Sequence, residues 1–179
     1  MACTSCVLTS GFTNAGCDNY KVAAGLRKLY IANACEVASF TDSPVADGVL
    51  DIVTMVGAAV FFEFDFSKFS ASFTSSVSSD NTGIARTHSV SFSIPGYDAS
   101  KQAIINALDF ASVVVIAETN TNQRFVLGYA NGVFGGLEIE TSEVTSGAAK
   151  TDFFGTTITM SAYVPGAPEE FLYSALIPV

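Results

Sequence analysis

From Val60 onward the chain alternates apolar and polar positions over long stretches. Phe62, Phe64 and Phe66 share one parity with Glu63, Asp65 and Ser67 between them, and a period of two residues marks a β-strand. After Ser67 the parity flips: Phe69, Ala71 and Phe73 are odd, while Ser70, Ser72 and Thr74 are even. A one-residue slip inside a continuous strand would turn its core face outward, so a bulge or bend is expected at Ser67-Lys68. Beyond the loop Ser78-Ser79-Asp80-Asn81-Thr82-Gly83, His88, Val90, Phe92 and Ile94 alternate with Thr87, Ser89, Ser91 and Ser93. These flanks predict a long hairpin over about 60–94 with one apolar face and one face of hydroxyls.

The remaining segments extend this pattern. Residues 25–33 and Val49–Met55 read as strands, separated by the turn-rich Thr41-Asp42-Ser43-Pro44 and Ala46-Asp47-Gly48. Pro95-Gly96 ends the hairpin, and Asp98 or Ser100 is placed to cap one amphipathic helix over about 98–111. Its apolar positions are Ala103, Ile104, Ala107, Leu108 and Ala111, with Lys101, Asn106 and Asp109 on the wetter side. Residues 112–118 and 123–129 flank Thr119-Asn120-Thr121-Asn122 as a second hairpin. A strand over 133–143 follows, with Gly135-Gly136 marking a bend or bulge where a neighbour approaches closely. A last long strand, alternating at Thr157, Ile158, Thr159, Met160 and Ser161, ends near Pro165-Gly166, and the apolar tail 171–177 calls for a partner surface. Residues 1–24 hold no sustained period and read as an irregular arm lying on a neighbouring subunit, which leaves 25–179 as one domain. The fold class expected is mainly β: an antiparallel sandwich or barrel-like domain with one flanking helix.

Composition adds a reason to expect assembly. Hydrophobic residues make up 49% of the 179 and charged residues only 14%, enough to fill a core but short of the charge that coats a soluble monomer. Eight Lys and Arg against seventeen Asp and Glu give a formal charge of -9, which opposes simple contact with nucleic-acid phosphates. Lys68, Arg86, Arg124 and Lys150 are scattered among acids rather than gathered into a groove. The most apolar runs, 56–62 and 113–117, are strand-sized, so no membrane insertion is expected. The opening Met-Ala-Cys-Thr-Ser-Cys lacks the pattern of a signal peptide, which places synthesis in the cytoplasm.

Chemistry-bearing residues are sparse. Cys3 and Cys6 form a C-x2-C pair but Cys17 and Cys35 stand apart, the wrong spacing for a four-thiolate zinc site. The single histidine, His88, sits in a strand of hydroxyl and apolar residues, a poor setting for a nucleophile–base pair. Glu138 with Glu140, and Glu63 with Asp65, are carboxylate pairs that read first as solvated strand faces. No phosphate-cradling, dinucleotide or zinc-protease motif occurs. The expectation is a protein without catalytic residues, metal or cofactor.

The long strands with a hydroxyl or acidic face are more distinctive. Ser70, Ser72, Thr74, Ser89, Ser91, Ser93, Glu138, Glu140, Thr157, Thr159 and Ser161 either line a water-filled surface or form the ordinary half-exposed face of a sandwich. Closing such strands from several subunits into a ring would remove the edges that otherwise invite uncontrolled pairing.

The order of elements resembles a known family. The segments Ser112-Val113-Val114-Val115-Ile116-Ala117-Glu118, Arg124-Phe125-Val126-Leu127-Gly128-Tyr129-Ala130-Asn131-Gly132, Ser146-Gly147-Ala148-Ala149-Lys150-Thr151-Asp152, Gly155-Thr156-Thr157-Ile158-Thr159-Met160 and Ala167-Pro168-Glu169-Glu170-Phe171-Leu172 are similar to the C-terminal half of phage tail tube proteins. Gly16-Cys17-Asp18 and Gly25-Leu26-Arg27-Lys28-Leu29-Tyr30-Ile31 resemble the start of such proteins from phages of gut-type bacteria. Thr-Asn-Thr-Asn replaces the family's usual Asn-Gly hairpin tip. The resemblance implies a virion tail protein, assembled in the host bacterial cytoplasm as six-fold rings stacked into a tube that conducts DNA without binding it specifically. It also implies tail-tip or baseplate, terminator and sheath proteins as partners. On it, the polar residues above face the lumen, while Ser78, Asp80, Asn81, Thr82 and Arg86, with the arm 1–24, are candidates for contacts between rings. The alternatives are another virion component, such as a capsid decoration, connector or baseplate protein, and a carbohydrate-binding sandwich.

Overall fold

A computed structural model describes residues 24–44, 48–80, 83–149 and 151–172. Residues 1–23 of the expected arm, Asn81 and Thr82 of the expected ring contact, Lys150 and the tail after Leu172 lie outside the described residues. Thirteen strands and one helix follow in chain order: β1 Leu26–Asn33, β2 Val37–Asp42, β3 Val49–Met55, β4 Phe62–Phe64, β5 Ser72–Asp80, β6 Gly83–Pro95, α1 Ala99–Leu108, β7 Val113–Thr119, β8 Arg124–Leu127, β9 Tyr129–Ala130, β10 Val133–Phe134, β11 Glu138–Thr145, β12 Gly155–Val164 and β13 Glu169–Phe171. They build a seven-stranded sheet in the order β2-β3-β13-β8-β7-β1-β4, a four-stranded sheet in the order β11-β12-β6-β5, and the small β9–β10 hairpin. The fold is mainly β, with multiple antiparallel sheets.

Two apolar clusters hold these sheets. In the first, Leu29, Ile31, Val115 and Leu127 of the seven-stranded sheet meet Val90, Phe92, Ile158 and Met160 of the four-stranded one. Rings bridge the layers: Phe64 of β4 meets Phe92 of β6 edge-on at 6.3 Å, and Phe73 of β5 meets Phe125 of β8 at 5.3 Å. Each fully buried side chain of this size contributes about 1.5–3 kcal/mol. The second cluster gathers Tyr30, Val37, Phe40, Leu50, Val53, Val114, Ile116, Val126 and Phe171 from β1, β2, β3, β7, β8 and β13, so the large sheet curls around its own second core. Covered on both faces, β7 is buried from Val113 to Glu118, which accounts for its unbroken apolar run.

Several expectations change at this level. Residues 62–64 pair with β1, whereas β5 pairs with β6. The parity flip at Ser67-Lys68 is therefore a crossing from one sheet to the other rather than a bulge within one strand, and the hairpin proper occupies β5 and β6. The helix begins at its Asp98 cap, whose Oδ1 accepts from the Lys101 N–H at 2.9 Å. Its buried residues are Ile105 and Leu108, while Ile104 is 48% exposed and Ala103 and Ala107 are exposed. Of the apolar positions that the spacing suggested, Leu108 is buried and Ala111 packs partly against the core, while Ile105 takes the buried place expected of Ile104. Ile104, Ala107 and Ala111 instead line a groove of about 570 Å³ with Ile31, Phe62 and Phe64.

The segment expected as one strand over 133–143 is broken. Asn131 (φ 51) and Gly132 (φ 78) make the tight turn of the β9–β10 hairpin, where two successive positive φ values favour this pair of residues. Gly135 then passes so close to β12 that a Cβ there would lie 2.5 Å from the Tyr163 carbonyl oxygen. Between β11 and β12, the Asp152 carboxylate accepts from the Ala148 and Ala149 N–H groups at 2.8 and 2.7 Å and closes the loop.

Candidate functional site

The outward face of the four-stranded sheet is assembled by strand register. Residues directly opposite one another on neighbouring antiparallel strands share a face. One row therefore runs Ser72, Ser91, Thr159, Thr141 across all four strands, and the next runs Thr74, Ser89, Ser161, Glu138. Ser93, Thr157 and Glu143 make a third row on β6, β12 and β11, and Ser76, Thr87 and Tyr163 a fourth on β5, β6 and β12. Opposite this face, the inward parity of the same strands carries Phe73, Val90, Phe92, Ile158 and Met160 into the core. Alternation along β12, along β6 from Val90 onward and at Phe73 of β5 thus separates an apolar side from a hydroxyl side.

Hydroxyls on this face bind each other between strands. Ser93 Oγ lies 3.0 Å from Thr157 Oγ1, and Thr159 donates to Ser91 Oγ at 3.2 Å. Exposed Glu138 and Glu143 supply its charge, and no Lys or Arg occupies any of the four rows among the described residues. The result is a hydroxyl-rich, acidic surface whose rows hold no cation among the described residues. At its two sides, β5 and β11 carry edges with no strand beyond them among the described residues.

Nine of the eleven residues expected to share this face do so. Ser70 stands before β5, with its hydroxyl donating to the Ser67 carbonyl at 2.6 Å and accepting from Ser93 N–H at 3.3 Å, so it pins a turn. Glu140 is the extra residue at a register shift between Ile139 and Thr141, after which odd-numbered residues take the outward positions. Thr141 and Glu143 therefore belong to the face although even spacing from Glu138 pointed elsewhere. No local signal announces this bulge, because Glu140, Thr141, Ser142 and Glu143 are all polar.

The expected ring contacts are more dispersed. Ser78 is exposed on β5 opposite Ala85, and Asp80 ends that strand opposite Gly83. Arg86 falls on the inward parity next to His88, and its guanidinium donates to Ser75 Oγ at 3.1 Å across the hairpin.

No family model, curated protein or solved structure matches this chain.

The buried polar side chains among the described residues include two ionisable ones, His88 and Glu118. His88 is fully buried and its Nε2 lies 3.0 Å from the Gly166 carbonyl oxygen. A carbonyl only accepts, so Nε2 carries the proton and Nδ1 is left buried without a partner. Burial, then the nearby Arg86 charge, lower its pKa below the ordinary histidine value, although the Gly166 bond acts the other way. Glu118 is 4% exposed and accepts from Arg124 Nε at 2.9 Å, with the Arg27 guanidinium at 3.6 Å. Glu118 and Arg124 are opposite residues of β7 and β8, so the pair fixes that hairpin's register. His88 thus reaches a backbone carbonyl, and Glu118 is paired with two cations. Among the described residues no three His, Cys, Asp or Glu converge as a metal site, and no helix is long and apolar enough to cross a membrane.

Proposed function

We propose that this chain is the structural subunit of a virion tail tube, self-assembling into stacked rings whose polar, acidic inner wall conducts the DNA genome. The observation that carries this reading is the outward face of β11-β12-β6-β5, whose rows hold hydroxyls and carboxylates in register with no cation among the described residues. A wall of this kind repels a phosphate backbone at contact range, while its hydroxyls hold water for the DNA to slide over. The free edges of β5 and β11 give the means of closure. Neighbouring strands of this sheet alternate in direction and number four, so β5 of one subunit meets β11 of the next antiparallel, and the alternation continues around the ring. Repeating that head-to-tail contact closes a barrel and removes every edge of the sheet. Six-fold symmetry, and tail-tip, terminator and sheath proteins as partners, follow from the sequence resemblance.

The lateral contact is testable by crosslinking. With the native cysteines replaced, one cysteine at Thr74 of β5 and one at Thr141 or Glu143 of β11 should give, on oxidation, a ladder of covalent oligomers ending at the ring number. Either cysteine alone should stop at dimers or below. Assembled particles in which no β5–β11 pair crosslinks, although opposed strands place such pairs within disulfide reach, would contradict the ring geometry.

A further inference from the structure

Asn131-Gly132 is the only Asn-Gly pair in the sequence. It forms the turn of the β9–β10 hairpin, between the paired residues Ala130 and Val133, and both of its residues are exposed. Asparagine followed by glycine carries a covalent reaction of its own. The Gly132 backbone nitrogen gives up its proton and bonds to Asn131 Cγ, the Cγ–Nδ2 bond breaks, and ammonia leaves with that proton. Water then opens the five-membered imide at one of its two carbonyls. One product is aspartate; the other is isoaspartate, whose backbone runs through the former side chain. Gly132 has no side chain to hinder the attack, and a Cβ built there would meet nothing within 4 Å.

The fold holds this pair away from the reactive geometry. Successive φ values of 51 and 78 belong to a type I′ turn, in which rotation about the Asn131 Cα–C bond stays at about +30°. Closing the imide ring swings the Gly132 nitrogen back toward Cγ, a rotation outside that turn, so the turn must open first. Its surroundings oppose opening. The Asn131 N–H donates to Glu169 Oε1 at 2.6 Å, which ties the turn to β13. A Cβ at Gly166 would lie 2.5 Å from Asn131 Nδ2 and 3.2 Å from its Cγ, so the carboxamide lies against the Gly166 backbone. The Gly166 carbonyl is itself held by His88 Nε2 at 3.0 Å, and next to the turn Tyr129 meets Phe134 at 4.8 Å and Phe40 at 4.7 Å. We propose that Asn131 is the deamidation site of this chain and that Glu169, by holding the turn shut, sets how fast the reaction runs. Local opening of the hairpin is then recorded chemically, because the loss of ammonia does not reverse. Isoaspartate adds a backbone methylene that a two-residue I′ turn does not accommodate, and either product sets a second carboxylate beside Glu169. Nothing in this reaction depends on assembly into rings.

Peptide mapping by mass spectrometry of the full chain, aged at mildly alkaline pH, reads the reaction as a gain of one mass unit at Asn131, with isoaspartate scored by enzymatic methylation. Among the described asparagines, Asn131 should react before Asn33, Asn106, Asn120 and Asn122, yet more slowly than in the isolated peptide 127–135. Glu169→Ala should speed the reaction about ten-fold, the factor that one charge-assisted hydrogen bond carries. Glu169→Gln, which keeps an acceptor, should speed it less. Asn122 is the internal control: its turn is closed by Thr119 and Arg27, so its rate should stay at the native value unless the whole domain loosens. First reaction at another described asparagine, or a folded rate equal to that of the peptide, would overturn the site and its gating. A Glu169→Ala rate that is unchanged, or raised equally at Asn122, would overturn the role of Glu169.

Discussion

His88 shows how one residue can set a pH response in an otherwise hydroxyl-rich sheet. Its folded pKa lies below the ordinary value because the cation would be buried and would stand near Arg86. In the unfolded chain it titrates near pH 6.5. As pH falls through that value the unfolded state takes up a proton that the folded state refuses, so stability drops, and it stops dropping once the folded pKa is passed. Above about pH 6.5 the full contribution is present. Urea unfolding between pH 7.5 and 5, at concentrations where the chain is a monomer, should show this loss, with a slope of at most about 1.4 kcal/mol per pH unit for a single proton. His88→Gln should flatten the slope whatever it does to absolute stability; an unchanged slope would assign the effect to other groups. The residue was visible in the sequence as the only histidine, and its parity placed it with Val90 and Phe92. Its orphaned Nδ1 was not visible, since that depends on Gly166, 78 residues away in sequence.

At the scale of elements, β7 and β8 are joined by a buried ion pair that differs in kind from surface pairs. Glu118→Ala would leave the Arg124 guanidinium, 14% exposed, without its carboxylate, and breaking a buried pair from one side costs about 3–5 kcal/mol. Glu63→Ala, which breaks the exposed Lys28–Glu63 contact at 2.7 Å, should cost far less and become indistinguishable from the native chain at high salt. Chemical unfolding of the two variants side by side checks the contrast. Strands with strict alternation, such as β6 and β12, were legible because each has one face in the core. β2 was not: only Val37 and Phe40 are buried, three residues apart, and register shifts at either end of the strand destroy the period. The crossing from β4 to β5 and the bulge at Glu140 show a further limit, since a parity change in sequence does not say whether a strand bends, bulges or changes sheet. β13 lay hidden for another reason. It is three residues long and held by a parallel contact with β3 and an antiparallel one with β8, both long-range.

The described residues combine a large sheet that packs a second core of its own with a four-stranded partner sheet that keeps one face polar and, among those residues, both edges unpaired. Among the described residues the unpaired edges and exposed Phe69, Phe110 and Tyr163 are surfaces of the kind that the proposed assembly would cover. The polar wall itself was largely readable from sequence, as Ser89, Ser91 and Ser93 alternate with core residues. Its continuity across four strands was not, because it follows from register between segments more than 60 residues apart. Net charge of -9 opposes the approach of subunits at low ionic strength. The most direct test of the central claim is negative-stain electron microscopy of the purified chain at high concentration, at low salt and at raised salt. The account predicts hollow rings and tubes, more abundant as salt screens the acidic subunits. A chain that stays monodisperse and monomeric under both conditions, even with tail-tip components added as nuclei, would contradict it.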